Sequence, residues 1–148
     1  MTARIPSLHT SYHTPLTSFG VLINLFSSLT YEAYTTQSPL RRNLKRWVEN
    51  LVNASFDIAK ILLACEKQLL PQTYRETLLR LKTLKGFQEP WVEKLAERAR
   101  LRNILAHEYT DIRFKYLAEF ISSAATIYHR YIQATENFIA NSLYSGQE

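Results

Sequence analysis

Between Arg98 and Tyr109 the chain reads Arg-Ala-Arg-Leu-Arg-Asn-Ile-Leu-Ala-His-Glu-Tyr, which gathers three arginines, an asparagine, a histidine and a tyrosine into twelve residues. Histidine titrates near neutrality, and guanidinium holds phosphate oxygens in a planar fork. Read as a helix at roughly 100° per residue, the stretch sorts into stripes. Leu101, Ile104 and Leu105 form an apolar face. Arg98, Arg102 and Tyr109 share a second line, and Arg100, Asn103 and His107 a third. Between these lines stand the small side chains Ala96, Ala99 and Ala106, which predict a crevice that a neighbouring helix can approach. Arg102 and His107 lie about 140° apart around one helix, so one straight helix does not bring them onto a single ligand atom, and a second copy of the chain could supply the missing half.

The elements that must position this stretch are marked by proline, which suits a helix's first turn and is excluded from its interior. Pro15 precedes a helix expected over Thr17 to Tyr34, capped by Thr17 or Ser18. Ser38-Pro39 opens a long second helix to about Gln68, with an apolar stripe through Leu40, Leu44, Trp47, Leu51, Ala54, Ile58, Leu62 and Cys65. Pro71 opens a third helix that Lys85-Gly86 closes, and Pro90 a fourth reaching Ala106 or His107. After a break at Thr110-Asp111, a fifth runs to about Leu143. The expected architecture is therefore all-α: an up-and-down bundle of about five helices over residues 17–143. An irregular arm over 1–16 precedes it, and a frayed end over 144–148 follows.

The composition supports that class, since three glycines and no alternating Val/Ile/Thr run favour helices over a sheet. Eighteen basic against 13 acidic residues leave a net charge of +5, which favours a polyanionic partner without naming it. A single cysteine, Cys65, excludes an internal disulfide framework or a cysteine-based metal cluster, and a reducing cytoplasm is the expected location. The run Phe19 to Leu29 is too short and too often interrupted to span a bilayer, so no membrane role is expected. The first helix is nonetheless poor in charge, because Glu32 is the only charged residue between Arg4 and Arg41. It is expected to be buried, in part against a partner. His9 and His13 in the arm lack a nearby carboxylate or thiol and read as solvated polar residues, with no metal expected.

Written RNILAHEY, the segment with Arg102, His107 and Tyr109 resembles the signature of the HepT-like branch of the HEPN superfamily, small helical RNases. Upstream, RRNLKRWVENLVNASFDIAKILL resembles that family's long second helix with its buried acid, here Asp57, and PQTYRET its next helix start. The likeness covers about Leu40 to Phe138; Arg100-Leu101 stands where the family often has Gly-Phe. It implies a homodimer with an active cleft shared between protomers, and an endo- or exoribonuclease needing no cofactor. Arg102 and His107 would be catalytic, with Asn103 and Asp57 supporting. It also implies a toxin of a type VII-like toxin–antitoxin pair, restrained by a partner minimal nucleotidyltransferase that attaches AMP to Tyr109. RNA is the expected substrate, with no DNA. The alternative is a catalytically silent helical adaptor that supports a nucleotidyltransferase. Neither the RNA nor the cleavage position is readable, because no base-reading motif is recognisable.

Each residue also has a plainer reading. His107 could cap carbonyls at its helix end, and Asn103 could be an ordinary polar residue there. Arg98 and Arg100 are candidates for RNA contact or for a solvated basic face with Glu93 and Glu97 nearby. Asp57, set among Ala54, Ile61 and Ala64, wants a cationic partner: Arg102 or His107, or any structural lysine or arginine. Tyr109 could simply pack at a helix end. The acid-free run Arg41 to Arg46 could track an RNA backbone, though a solvated helix face is the commoner use of such a run.

Overall fold

A threonine cap, a proline and a left-handed residue set the first boundaries in the computed structural model, which describes residues 28–145. The expected arm, His9, His13 and most of the first helix lie outside the described residues. Within them, Ser28 to Thr30 is not helical, so a continuous helix to Tyr34 is not found. Instead Thr30 is extended and its Oγ1 accepts the Ala33 amide at 3.1 Å, starting a new short helix, α1 (Tyr31–Thr36). Gln37 breaks the helix, and α2 (Ser38–Cys65) follows with Pro39 in its first turn. It ends three residues before Gln68, because Lys67 turns left-handed at φ 54°. The Lys67 and Gln68 amides then bond back to the Ala64 and Leu63 carbonyls, a Schellman closure.

Pro71 does not itself begin a helix. Thr73 caps α3 (Tyr74–Arg80) by accepting the Glu76 amide, and a single 3-10 turn over Leu81–Thr83 carries the chain on. Lys85-Gly86 does not close the helix as expected: the chain is already extended at Leu84, and Gly86, at φ 91°, lies in the turn that follows. α4 (Trp91–His107) matches the expected fourth helix. The break after it falls two residues early, at Glu108 and Tyr109, and Thr110-Asp111 already belongs to α5 (Thr110–Ser145). The Tyr109 carbonyl accepts the Arg113 amide at 2.9 Å, which closes the first turn of α5.

The result is all-helical, with five α-helices and no strand among the described residues. α4 packs between α3 and α5, and α2 lies against α3 and α4. The stripe expected on α2 is buried at Leu44, Trp47, Leu51, Ile58 and Leu62, joined by Val48, Val52 and Leu63. Each such side chain contributes about 1.5–3 kcal/mol when fully buried. Aromatic rings lock α2 and α4 to α5: Trp47 meets Phe120 edge-on at 5.7 Å and Trp91 meets Tyr131 at 6.0 Å. Buried Tyr131 donates to the Ser55 carbonyl at 2.8 Å, fixing the register of α5 against α2. No helix of the described residues is long and apolar enough to cross a membrane.

Candidate active site

Arg102 stands on the half-buried side of α4, and two neighbours determine its position. Its Nη1 donates to Asn53 Oδ1 on α2 at 3.2 Å and to the Tyr74 hydroxyl on α3 at 3.0 Å. Its guanidinium carbon also lies 5.4 Å from the Tyr74 ring centroid. Tyr74 is itself braced by Phe56, whose ring is 4.2 Å away, and Lys60 sits 4.7 Å over Phe56. Two neighbouring rings, Phe56 and Tyr74, thus lie between two cations, Lys60 and Arg102. The local reason is the Thr73 cap, which starts α3 one residue before Tyr74 and so presents its ring beside α2.

A groove of about 190 Å³ opens here, lined by Tyr74, Arg75, Ala99, Arg100, Arg102 and Asn103. Three of its six lining side chains are arginines, and none is acidic. The groove is therefore a concavity for an anion with one arginine held in a fixed orientation. Asn103 and Arg100 both reach it, as their common stripe on α4 required. His107 is the last residue of α4, exposed, and forms no hydrogen bond among the described residues. The carbonyl-capping reading of its side chain therefore finds no support there. Tyr109 projects from the two-residue link between α4 and α5 and is 81% exposed, so the packed-ring reading fails for it. Among the described residues no group of three or more metal-ligating side chains forms.

Three expectations from the sequence are corrected. Asp57 is not buried: its side chain is 59% exposed and pairs with Lys60, one turn on, at 2.9 Å. The stripe placed it wrongly because α2 turns its Ser55, Ile58 and Ala59 inward and leaves Asp57 on the outer face. Asn53, one turn earlier, makes the contact to Arg102 that was sought for Asp57. Arg98 does not face the groove either. Its Nη2 donates to Ser123 Oγ on α5 and its guanidinium lies 5.9 Å from the Phe120 ring, which makes it a packing residue. The alanine stripe is not one open face, because Ala96 is fully buried in the chain's own core, Ala99 borders the groove and only Ala106 is exposed.

Asn53 and Tyr74 were not singled out from the sequence. An asparagine between Val52 and Ala54 on a long amphipathic helix was a signal for the first, since a half-buried amide seeks a partner. Tyr74 lay within the PQTYRET block but carried no chemical pattern of its own.

The family model described as Ribonuclease HepT-like matches residues 18–135. Neither the comparison with curated proteins nor that with solved structures returns a match. The match begins upstream of Leu40, where the likeness read from the sequence started, and it spans every residue of the site from Asn53 to Tyr109. With four-fifths of its length matched and the Arg102–His107 helix at the groove, the chain belongs to the HepT-like ribonuclease family.

Proposed function

We propose that the protein is a ribonuclease toxin in which Arg102 and His107 act on one phosphodiester of RNA. The observation that carries this is Arg102, held by Asn53 and Tyr74 at the edge of a groove lined with arginines. A guanidinium fixed in this way needs little reorganisation as charge grows on the phosphate, and such preorganised charge is the larger share of many enzymes' rate enhancement. His107 has both ring nitrogens free of partners among the described residues, as a group moving a proton at the 2′-hydroxyl or at the leaving oxygen requires. Asn103 lines the groove next to Arg102 and is placed to orient phosphate or imidazole.

A single helix leaves Arg102 and His107 about 140° apart, which favours a homodimer whose second protomer completes the cleft. With Ala96 buried, the surface available for that approach is the exposed end of α4 around Asn103, Ala106 and His107. Tyr109, almost wholly exposed two residues beyond the histidine, is open to a partner nucleotidyltransferase that would transfer AMP to its hydroxyl. The added phosphate and base would stand beside the site and compete with RNA. Arg98, committed to Ser123, takes no part in binding that phosphate.

The test is incubation of purified wild type and His107→Ala with total RNA in the presence of EDTA. Cleavage by wild type alone is the expected result. If both leave every RNA intact, the enzyme reading fails and the adaptor reading takes its place. For the modification, co-expression with a neighbouring nucleotidyltransferase should add adenylate-sized mass to wild type and none to Tyr109→Phe.

A further inference from the structure

On the other flank of α4 the start of α2 faces the first turn of α5 across a pocket. The pocket between them, about 150 Å³, is lined by Tyr34, Ser38, Arg41, Arg42, Lys45, Leu105 and Arg113. Four of these are cations and none is acidic. Arg41 is anchored, because its Nη1 donates to the Tyr34 and Thr35 carbonyls at 2.8 and 2.6 Å. Those bonds close the C-terminal end of α1 and hold one guanidinium at the pocket wall. Arg113 Nε is buried with no hydrogen-bond partner, and Arg42 has no ion pair among the described residues. Lys45 lies 4.0 Å from the carboxylate of Glu49 on its own helix.

Four like charges around one concavity repel each other, and a bound anion is the arrangement that relieves the repulsion. The positive field is felt by buried Tyr34. Burial pushes its hydroxyl pKa up, while Arg113 and Arg41 both pull against that rise.

The position of the pocket indicates which anion. Leu105 on its wall is two residues before His107, and Arg113 bonds through its amide to the carbonyl of Tyr109. The pocket therefore adjoins the α4–α5 link, while the groove with Arg75, Arg100 and Arg102 lies along the preceding turns of α4. A ligand with phosphates repeated along a chain can occupy both, whereas a lone phosphate can occupy only one. We propose that the pocket of Arg41, Arg42, Lys45 and Arg113 is a second phosphate subsite, which grips the backbone of the RNA some nucleotides away from the bond acted on at Arg102. This rests on the ribonuclease reading for the identity of the polymer. It gives the Arg41–Arg46 run a use beyond a solvated face.

The experiment measures binding separately from cleavage. Full-length His107→Ala is titrated into a labelled single-stranded RNA, with fluorescence anisotropy read over a series of salt concentrations. The same is done with Arg42→Gln and Arg113→Gln added together. As a control, Lys67→Gln and Lys85→Gln remove the same charge from exposed sites outside both concavities. The pocket variant should bind about tenfold or more weakly at about 0.1 M salt, and its log–log salt slope should be shallower by about 1.4. Arg42→Lys with Arg113→Lys should restore the slope, which separates lost charge from lost folding. Inorganic phosphate should compete only at high concentration.

Equal losses in pocket and control variants, or an unchanged slope, overturn the subsite. Saturable phosphate binding that depends on the pocket, with RNA indifferent to it, overturns the assignment to RNA. If wild type fails to cleave RNA while the slope still depends on the pocket, catalysis falls and the subsite stands. If wild type cleaves and the pocket variant binds as before, the subsite alone falls.

Discussion

Removing the two groups that hold Arg102 tests whether its fixed orientation matters to the reaction. Tyr74→Phe deletes the hydroxyl at 3.0 Å but keeps the ring that stacks on Phe56 and lies beneath the guanidinium. Asn53→Ala deletes the acceptor at 3.2 Å. A hydrogen bond to a charged group is worth about 1.5–3 kcal/mol. Tyr74 is 38% exposed, so water replaces part of what is lost, and about 1 kcal/mol per bond is the reasonable expectation. That corresponds to about fivefold in rate for one substitution and about thirtyfold for both, if they add. The assay is steady-state cleavage of a short RNA, with thermal melting of each variant alongside. Because the changes misdirect a group that stays present, kcat should carry the loss while KM moves little. A double variant that cleaves within about twofold of wild type, with an unchanged melting temperature, would refute the idea that these partners preorganise Arg102.

Arg102→Lys should lose more activity than either partner variant, since an ammonium cannot keep both bonds and still present a fork; full activity in a cleavage assay would reduce Arg102 to a generic charge. Arg98→Met should leave RNA affinity unchanged and shift only the melting temperature, because Arg98 packs on Phe120 and bonds Ser123 instead of lining the groove. Tyr128 is fully buried and its pKa is pushed up to about 12, chiefly by that burial. Its neutral form is therefore compatible with folding at all pH values below 10, the unfolded value, and stability should fall as pH rises from 10 towards 12. Urea titrations across that range should show the fall, and Tyr128→Phe should lessen it. Gly86→Ala should cost about 1 kcal/mol by denaturant melting. Its φ of 91° is the cause, since an added Cβ meets nothing within 4 Å.

The sequence by itself determined the helical class, the span of α4 and the concentration of chemistry on it. These follow from local rules: proline at first turns, an apolar period near 3.6, and one stretch with polar types at a fixed spacing. Arg100 and Asn103 reach one groove together because a helix fixes the angles between its own residues. Caps made by single side chains were harder to read. Thr73, accepting an amide three residues on, moved the helix start that Pro71 had suggested, and Thr30, capping in the same way, begins a helix within a span expected to be continuous.

Contacts between helices were decided only by the tertiary structure. Asp57 and Asn53 sit one turn apart on α2, and nothing in their spacing says which meets Arg102; the rotation of α2 about its axis, set by burial of Leu44, Val48, Ser55 and Leu62, selects Asn53. Arg98 and Arg102 are also one turn apart, yet packing sends the first to α5 and the second to α2 and α3. The pocket that joins Arg41, Arg42 and Lys45 to Arg113 brings together residues some seventy positions apart. Periodicity says which residues share a face of one helix. Which face meets which neighbour depends on how side chains from all the helices fill a common core, and that is a property of the assembled fold.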